Sequence, residues 1–469
     1  MNGASFLADM LQTITDRGRQ LLPLNPRATG RRTIDTLCEA LISMSGEASG
    51  MAIAKEIMDR WAAMDAEKRL AFMVMLLESF GPDADNLDRA IEAYRSDPTP
   101  KALLDLHLAA EPRRQELIRR LNLAPNGIAT LVSMRETLLS QLAERPDLAA
   151  VDSDFAHLFG SWFNRGFLVL RPINWSTPAD ILEKIIRYEA VHEIGSWDEL
   201  RRRLQPEDRR CFAFFHPQLA DDPLIFVEVA LTREMPATIA EVLDEQRDHI
   251  APADARTAVF YSISNCQKGL RGISFGNFLI KQVVEDLRRE LPRLDTFVTL
   301  SPVPGFAAWL ERQRADENAD ALSADERTKL APLDRPGWSE DPQTRDSLRT
   351  ALLEAASWYF LRARDRKGKP ADPVARFHLG NGARLERINF LGDRSERAMR
   401  QAHGLMVNYL YKLDDIEANH EAFAGRGEVV AAAPVRRMLR SARPTRAKTD
   451  PTPPTDTATP EKTTEEFTR

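Results

Sequence analysis

Apolar residues recur every three or four positions along the first third of the chain, with charged residues between them. The stretch "MAIAKEIMDRWAAMDAEKRLAFMVMLLESF", residues 51–80, shows this pattern most clearly. Such spacing places apolar side chains on one face of a helix, and Pro100 and Pro112 mark breaks between helices. We predict an all-α helical bundle over residues 1–152. Met73 and Met75 fit the core of this bundle better than a groove for a partner protein.

The pattern changes near Asp152, where runs rich in β-branched and aromatic residues begin. Four runs bounded by Pro, Asp or Asn predict strands: "RRCFAFFHP", "DPLIFVEVALT", "RTAVFYSISN" and "LDTFVTLSP". Helical patterns alternate with them, notably "FGNFLIKQVVEDLRREL". Residues 153–430 are therefore predicted to form an α/β or α+β domain around a sheet.

The last part of the chain, residues 431–469, is rich in proline and threonine. Its sequence ends "PTRAKTDPTPPTDTATPEKTTEEFTR" and has no aromatic residue before Phe467. Such a composition is typical of disorder. The basic start of this tail, from Arg436 to Lys448, is interpreted as solvated, with an anionic partner as the alternative.

Composition narrows the function classes. The chain has 469 residues, 43% of them hydrophobic, so it can bury a large core and form two or three domains. A net charge of −6 gives no reason to expect a nucleic-acid partner. The three scattered cysteines indicate a reducing compartment. No apolar run is long enough to cross a bilayer, and the acidic start lacks a signal-peptide core, so we predict a cytoplasmic protein.

One segment of the sheet domain is typical of a phosphate site. In "AVFYSISNCQKGLRGISFGNFLIKQVVEDL" a strand is followed by a glycine-containing loop and a helix. Glycines let backbone amides approach a ligand, and the free N–H groups at a helix start bind phosphate. Lys268 and Arg271 add positive charge. The spacing fits neither a Rossmann nor a Walker motif, and a plain tight turn remains the alternative.

Two side chains near strand ends are candidates for chemistry. Ser301 stands at the carboxyl end of a predicted strand, where open α/β sheets bind ligands. His378 precedes a glycine-rich turn at the entrance to another predicted strand. Each taken alone fits a structural role, Ser301 as a turn residue and His378 as a satisfied core histidine. The eight histidines show no paired spacing of metal ligands, so no metal site is predicted.

Longer motifs resemble the malonyl-CoA decarboxylase family. They are "FYSISNCQKGLRGISFGNFLIKQVVEDLRRELPRLDTFVTLSPVPGF", "DPVARFHLGNGARLERINF", "CFAFFHPQLADDPLIFVEVALT" and "HGLMVNYLYKLDDIE". The resemblance implies an α+β chain: a helical domain used in homo-oligomerisation, as a dimer or tetramer, and a catalytic domain of N-acetyltransferase-like (GNAT) fold. It also implies a carboxy-lyase that converts malonyl-CoA to acetyl-CoA and CO2.

The resemblance carries site residues with it. Ser301 and His378 would be catalytic and flank the malonyl group, and a family tyrosine near the site corresponds to Tyr411. The coenzyme A loop would comprise Arg271, Gly272, Ile273, Ser274, Phe275, Gly276 and Asn277. No metal, biotin or pyridoxal cofactor is expected, because the thioester itself accepts the electrons released with CO2. The glycine turn is expected to let the reacting ligand approach His378.

The sequence departs from the family pattern in three places. Ser274 replaces an acidic residue of the animal relatives, the chain ends "EEFTR" instead of in a Ser-Lys-Leu signal, and the Pro/Thr-rich tail is an extension. These departures fit a bacterial-type cytoplasmic form. Two alternatives stay open: an acyl-CoA-dependent N-acyltransferase of the same fold, and a non-catalytic scaffold that binds coenzyme A.

Overall fold

The computed structural model describes Met10, residues 13–15 and 17, and residues 33–219, 221–273 and 279–439. Residues 33–162 form a helical region, in which side chains such as Asp65 cap helix starts by accepting a backbone N–H. Met73 is fully buried in it, as its position in the predicted core requires. The helices are α1 (Ile34–Ser43), α2 (Glu47–Ala62), α3 (Ala66–Ser79), α4 (Ala84–Ser96), α5 (Pro100–Ala110), α6 (Arg113–Leu121), α7 (Gly127–Gln141) and α8 (Ala149–Trp162).

The following part of the chain forms a mixed sheet flanked by helices. Its strands are β1 (Val169–Ile173), β2 (Arg209–Phe215), β3 (Ile225–Thr232), β4 (Thr257–Asn265), β5 (Thr296–Thr299), β6 (Ser301–Pro302), β7 (Arg384–Asn389) and β8 (Met406–Leu410). The helices are α9 (Ala179–Tyr188), α10 (Trp197–Leu204), α11 (Ala240–Leu243), α12 (Leu279–Glu290), α13 (Phe306–Ala315), α14 (Ala324–Leu330), α15 (Pro342–Leu361), α16 (Pro373–Gly380), α17 (Glu396–Ala402), α18 (Ile416–Arg426) and α19 (Ala433–Met438).

The strand order is β1-β2-β3-β4-β5-β8-β6, and β7 pairs with β8. Strands β4 and β5 are parallel, and the other pairs are antiparallel. Because parallel neighbours need a crossover connection, α12 lies between β4 and β5 in the sequence. The predicted α+β class is confirmed, because a helical region is followed by a mixed sheet flanked by helices.

The helical region and the sheet share one continuous apolar core. Its buried side chains come from α1–α3 and α6–α8 and also from the sheet and its flanking helices. The predicted domain boundary after residue 152 falls within α8, so a division after this helix suits the structure better. Helix α19 lies inside the predicted tail, and its Val435 is fully buried. Residues 440–469 lie outside the described residues.

Candidate active site

Ser301 begins β6, directly after the parallel strand β5 ends. Its pairing with Val407 of β8 fixes the backbone, and the side chain is buried, with 5% exposed. The Ser301 hydroxyl donates a hydrogen bond of 2.9 Å to Oγ1 of Thr299. It also lies 3.2 Å from Nε2 of His378. The structure therefore brings together the two side chains that the sequence motifs single out.

His378 lies in the last turn of helix α16. The sequence begins this helix at Pro373, with the Asp372 carboxylate accepting the Ala375 N–H at 2.8 Å as the N-cap. The imidazole ring stacks on Tyr409 with ring centroids 4.6 Å apart. Its Nδ1 lies 2.8 Å from the hydroxyl of Tyr411. Stacking on one face and a hydrogen bond at each nitrogen fix the ring in one orientation.

The glycine turn after His378 has a different role from the one expected. A Cβ on Gly382 would lie 2.3 Å from the carbonyl oxygen of Ile416, and φ at this glycine is +79°. Gly382 is therefore required by close backbone packing and a left-handed conformation. Helix α16, and not Gly382, sets the position of His378. Gly380 and Asn381, in the same turn, line a cavity close to this histidine.

Burial sets the protonation states of the site. Desolvation lowers the pKa of His378 from its ordinary value of 6.5 to about 3, because the charged imidazolium loses its hydration. The same cause raises the pKa of Tyr411 well above its usual range. His378 is therefore neutral at pH 7. Tyr411 keeps its proton and can donate it in a hydrogen bond to Nδ1, which leaves Nε2 as the protonated nitrogen facing Ser301.

Ser301 and His378 lie on the wall of a cavity of about 240 Å³. Apolar and aromatic residues make up most of the remaining lining. Among the described residues around this cavity there is no lysine or arginine, and the lining comprises Val191, Phe260, Tyr261, Ile263, Asn265, Ser301, Pro302, Pro373, Val374, Phe377 and His378. The described lining therefore offers neutral hydrogen-bonding groups.

A larger cavity of about 760 Å³ adjoins the first one, since Asn265 and Phe377 line both. Three cationic residues line it: Lys268, Arg271 and Arg376. The predicted loop residues Arg271, Gly272 and Ile273 are also part of its lining. The predicted residues Ser274, Phe275, Gly276 and Asn277 lie outside the described residues.

Sequence reasoning missed several residues of the site. Thr299 contacts Ser301 and Tyr409 contacts His378, and each stands two positions before a predicted site residue, Ser301 or Tyr411. Because side chains alternate along a strand, positions two apart share one face, so this period could have identified both. Phe377 is adjacent to His378, but only the structure shows that it lies between the two cavities.

Residues 33–219, 221–273 and 279–439 contain no candidate metal-binding site. No group of three or more His, Cys, Asp or Glu side chains there is arranged to hold a metal ion. No helix among these residues is long and apolar enough to cross a membrane.

Comparison with known proteins identifies the family. The family model described as the malonyl-CoA decarboxylase C-terminal domain matches residues 166–449, and the N-terminal domain model matches residues 80–163. The chain belongs to the malonyl-CoA decarboxylase family. This membership confirms the predicted resemblance and the carboxy-lyase class that goes with it.

Relatives within the malonyl-CoA decarboxylase family match over most of their length. A mitochondrial malonyl-CoA decarboxylase of Anser anser anser is 32% identical over 403 residues, covering 78% of this chain and 79% of the relative. The crystal structure of a malonyl-CoA decarboxylase from Rhodopseudomonas palustris is 61% identical, with a TM-score of 0.84, and covers 86% of this chain and 98% of that one. The corresponding structure from Agrobacterium vitis is 65% identical, with the same TM-score of 0.84, and covers 87% of this chain and 100% of that one.

Proposed function

We propose that this chain converts malonyl-CoA to acetyl-CoA and CO2, with Ser301 and His378 as its catalytic residues. The observation that carries the proposal is their 3.2 Å contact on the wall of the small cavity, next to a larger cationic one. The larger cavity has the size and charge for coenzyme A phosphates, and the smaller one suits a malonyl group. Family membership supports the same substrate.

The reaction needs an electron sink and a proton. When the bond between the carboxylate and the methylene breaks, CO2 leaves and the electron pair moves into the thioester carbonyl, giving an enolate. Protonation of the methylene carbon then yields acetyl-CoA. The substrate supplies the electron sink itself, so we propose that no metal or organic cofactor takes part. The protein has to stabilise the enolate and deliver one proton.

His378 is the proposed proton donor. A malonyl carboxylate entering the smaller cavity brings a negative charge next to the imidazole, which raises the pKa of His378 from about 3. Nδ1 then takes up a proton from solvent, with the Tyr411 hydroxyl turning to accept it, and the proton already on Nε2 passes to the carbon once CO2 has left. Ser301 positions the malonyl group by hydrogen bonding, while Tyr411 holds Nδ1 at 2.8 Å.

The phosphates of coenzyme A are assigned to the loop after β4. Arg271, Gly272 and Ile273 line the larger cavity, and Ser274, Phe275, Gly276 and Asn277 complete the proposed loop by their match to the family motif. Helix α12 follows this loop in the sequence, and the N–H groups at the start of a helix are free to bind an anion.

The deciding assay mixes purified protein with malonyl-CoA alone in the presence of EDTA. It measures the formation of acetyl-CoA and CO2. Turnover without an amine acceptor separates a decarboxylase from an N-acyltransferase, and turnover of any kind excludes a non-catalytic scaffold. Activity that disappears on chelation and returns with a divalent metal would contradict the cofactor-free mechanism. Binding of malonyl-CoA without CO2 release would contradict the proposed function.

We further propose that the chain forms homo-oligomers, dimers or tetramers, through its helical region. Leu103, Leu104 and Leu108 of α5 are 53%, 56% and 59% exposed, an apolar face that a second copy would cover. Replacing Leu104 and Leu108 with glutamate should lower the oligomeric mass in analytical ultracentrifugation, and an unchanged mass would place the interface elsewhere. A cytoplasmic location is also proposed, since the three cysteines are free and buried, as suits a reducing compartment.

A further inference from the structure

Helix α7 of the helical region touches the loop that follows β4, backbone to backbone. A Cβ on Gly269 would lie 2.0 Å from the carbonyl oxygen of Val132. Gly269 is therefore required by this contact, and not by ligand approach as the sequence suggested. The contact joins the helical region to the same loop that carries Arg271 and Gly272.

Arg135 secures the contact. Its side chain is buried, with 3% exposed, and its Nη1 donates hydrogen bonds to the carbonyl oxygens of Gly269 at 2.8 Å and Arg271 at 3.0 Å. On its other edge, Nε donates to the Asp152 carboxylate at 2.8 Å. One guanidinium from α7 thus holds two carbonyls of the loop, and a carboxylate from α8 holds the guanidinium.

This arrangement fixes the direction of a loop amide. The C=O and N–H of a trans peptide point in opposite directions, so anchoring the Arg271 carbonyl on Arg135 directs the Gly272 N–H away from α7. Gly272 has open space around it and a φ of +82°. Helix α7 itself contributes Glu136, Leu139 and Ser140 to the lining of the larger cavity. The cavity is therefore built from both parts of the chain.

We propose that Arg135 is a positioning residue for coenzyme A binding, which makes the helical region part of the active site as well as a candidate for assembly. The inference rests on the proposed function, because it assumes that the loop binds the coenzyme A part of malonyl-CoA. Arg135 touches neither Ser301 nor His378 in the described part of the chain, so its effect belongs to substrate binding and not to the chemical step.

The test is Arg135→Met, with Arg114→Met as the matched control. Arg114 forms a buried ion pair with Asp154 in the same helical region, away from the loop. Losing hydrogen bonds from a charged donor is expected to raise KM for malonyl-CoA roughly 10- to 100-fold in Arg135→Met, with kcat within about 3-fold of wild type. Arg114→Met should change thermal stability to a similar degree and leave KM near the wild-type value.

Conservative variants keep the test informative if the methionine variants fold poorly. Arg135→Lys keeps a charge near Asp152 but lacks the planar guanidinium that bonds the Asp152 carboxylate and the loop carbonyls at the same time. Its KM should therefore fall between wild type and Arg135→Met. Hydrogen exchange adds a readout independent of catalysis. Peptides covering residues 266–273 should exchange faster in Arg135→Lys than in Arg114→Lys, and acetyl-CoA should protect them less.

Equal KM values in the Arg135 and Arg114 variants, or equal exchange in residues 266–273, would overturn the positioning role. Wild-type protein that fails to decarboxylate malonyl-CoA would instead overturn the proposed function, so the two failures are distinguishable. A KM rise in Arg135→Met that Arg135→Lys partly reverses, absent from the Arg114 pair, is the expected result.

Discussion

Replacing His378 with asparagine should separate chemistry from folding at the centre of the site. Asparagine keeps a polar side chain near Ser301 and Tyr411 but cannot take up and release a proton. General acid–base help is worth roughly 10²–10⁴ in rate, so kcat should fall by that order. Binding of acetyl-CoA should stay close to wild type, because the imidazole lines the smaller cavity and not the larger one with the cationic residues.

The same substitution should reduce the loss of stability in acid. Burial lowers the pKa of His378 from 6.5 to about 3, so between these values the unfolded chain binds a proton that the folded chain does not. The contribution is fully present above pH 6.5 and is lost as pH falls. At pH 5, about one and a half units below 6.5, this residue alone should have lowered the free energy of unfolding of the wild type by about 2 kcal/mol.

Steady-state kinetics and urea unfolding at pH 7 and pH 5 test both effects in the same preparations. The partly buried histidines His192 and His403, whose pKa values desolvation lowers to about 4, remain in the variant and supply a common background. The quantity to compare between wild type and His378→Asn is therefore the change in the free energy of unfolding from pH 7 to pH 5. A folded variant that turns over near the wild-type rate would refute the catalytic assignment, and an unchanged pH sensitivity would refute the buried neutral state.

Other predictions concern the partners of His378. Ser301→Ala should also lower kcat more than it weakens acetyl-CoA binding. The double variant with His378→Asn should have a kcat little below that of the slower single variant, because the effects of residues that act as a unit are not additive. Additive losses of kcat would argue against a shared role. Tyr411→Phe leaves Nδ1 without its 2.8 Å partner, so kcat should fall roughly 10-fold or more, with an unchanged kcat assigning the tyrosine to packing. Binding of a malonyl-CoA analogue with a methylene in place of the thioester carbonyl should be accompanied by proton uptake at pH 7, and binding of acetyl-CoA should not. Calorimetry in buffers of different ionisation enthalpy measures this uptake. Equal uptake for the two ligands would contradict protonation of His378 induced by the carboxylate.

The sheet was predictable where its strands alternate or are rich in β-branched and aromatic residues. The four predicted runs correspond to β2, β3, β4 and the pair β5–β6. Strand β1 carries Pro172, which favours an edge position, and it pairs with β2 alone. Strand β8, Met406–Leu410, is short and almost wholly buried, so no alternation marks it. Its place between β5 and β6 depends on tertiary pairing.

Local pattern identified Ser301 and His378 only as candidates that also fit structural roles. The family resemblance joined them to each other and added Tyr411, although the three lie far apart in the sequence. Local pattern alone assigned glycines to ligand approach, whereas Gly382 packs against the Ile416 carbonyl and Gly269 against the Val132 carbonyl. Both roles depend on backbone contacts with distant segments, and a single sequence carries no signal of such contacts.

The two cavities differ in charge in the way that decarboxylation requires. Coenzyme A phosphates stay charged throughout the reaction, and the larger cavity has cationic residues in its lining. The malonyl carboxylate must lose its charge as CO2 leaves, and no cation is among the described residues lining the smaller cavity. A lysine or arginine there would stabilise the carboxylate more in the ground state than in the transition state, where the charge has moved toward the thioester oxygen, and would slow the reaction. The imidazolium proposed for His378 differs from such a fixed cation, because its proton passes to the methylene carbon and its positive charge is therefore used up together with the negative charge of the substrate.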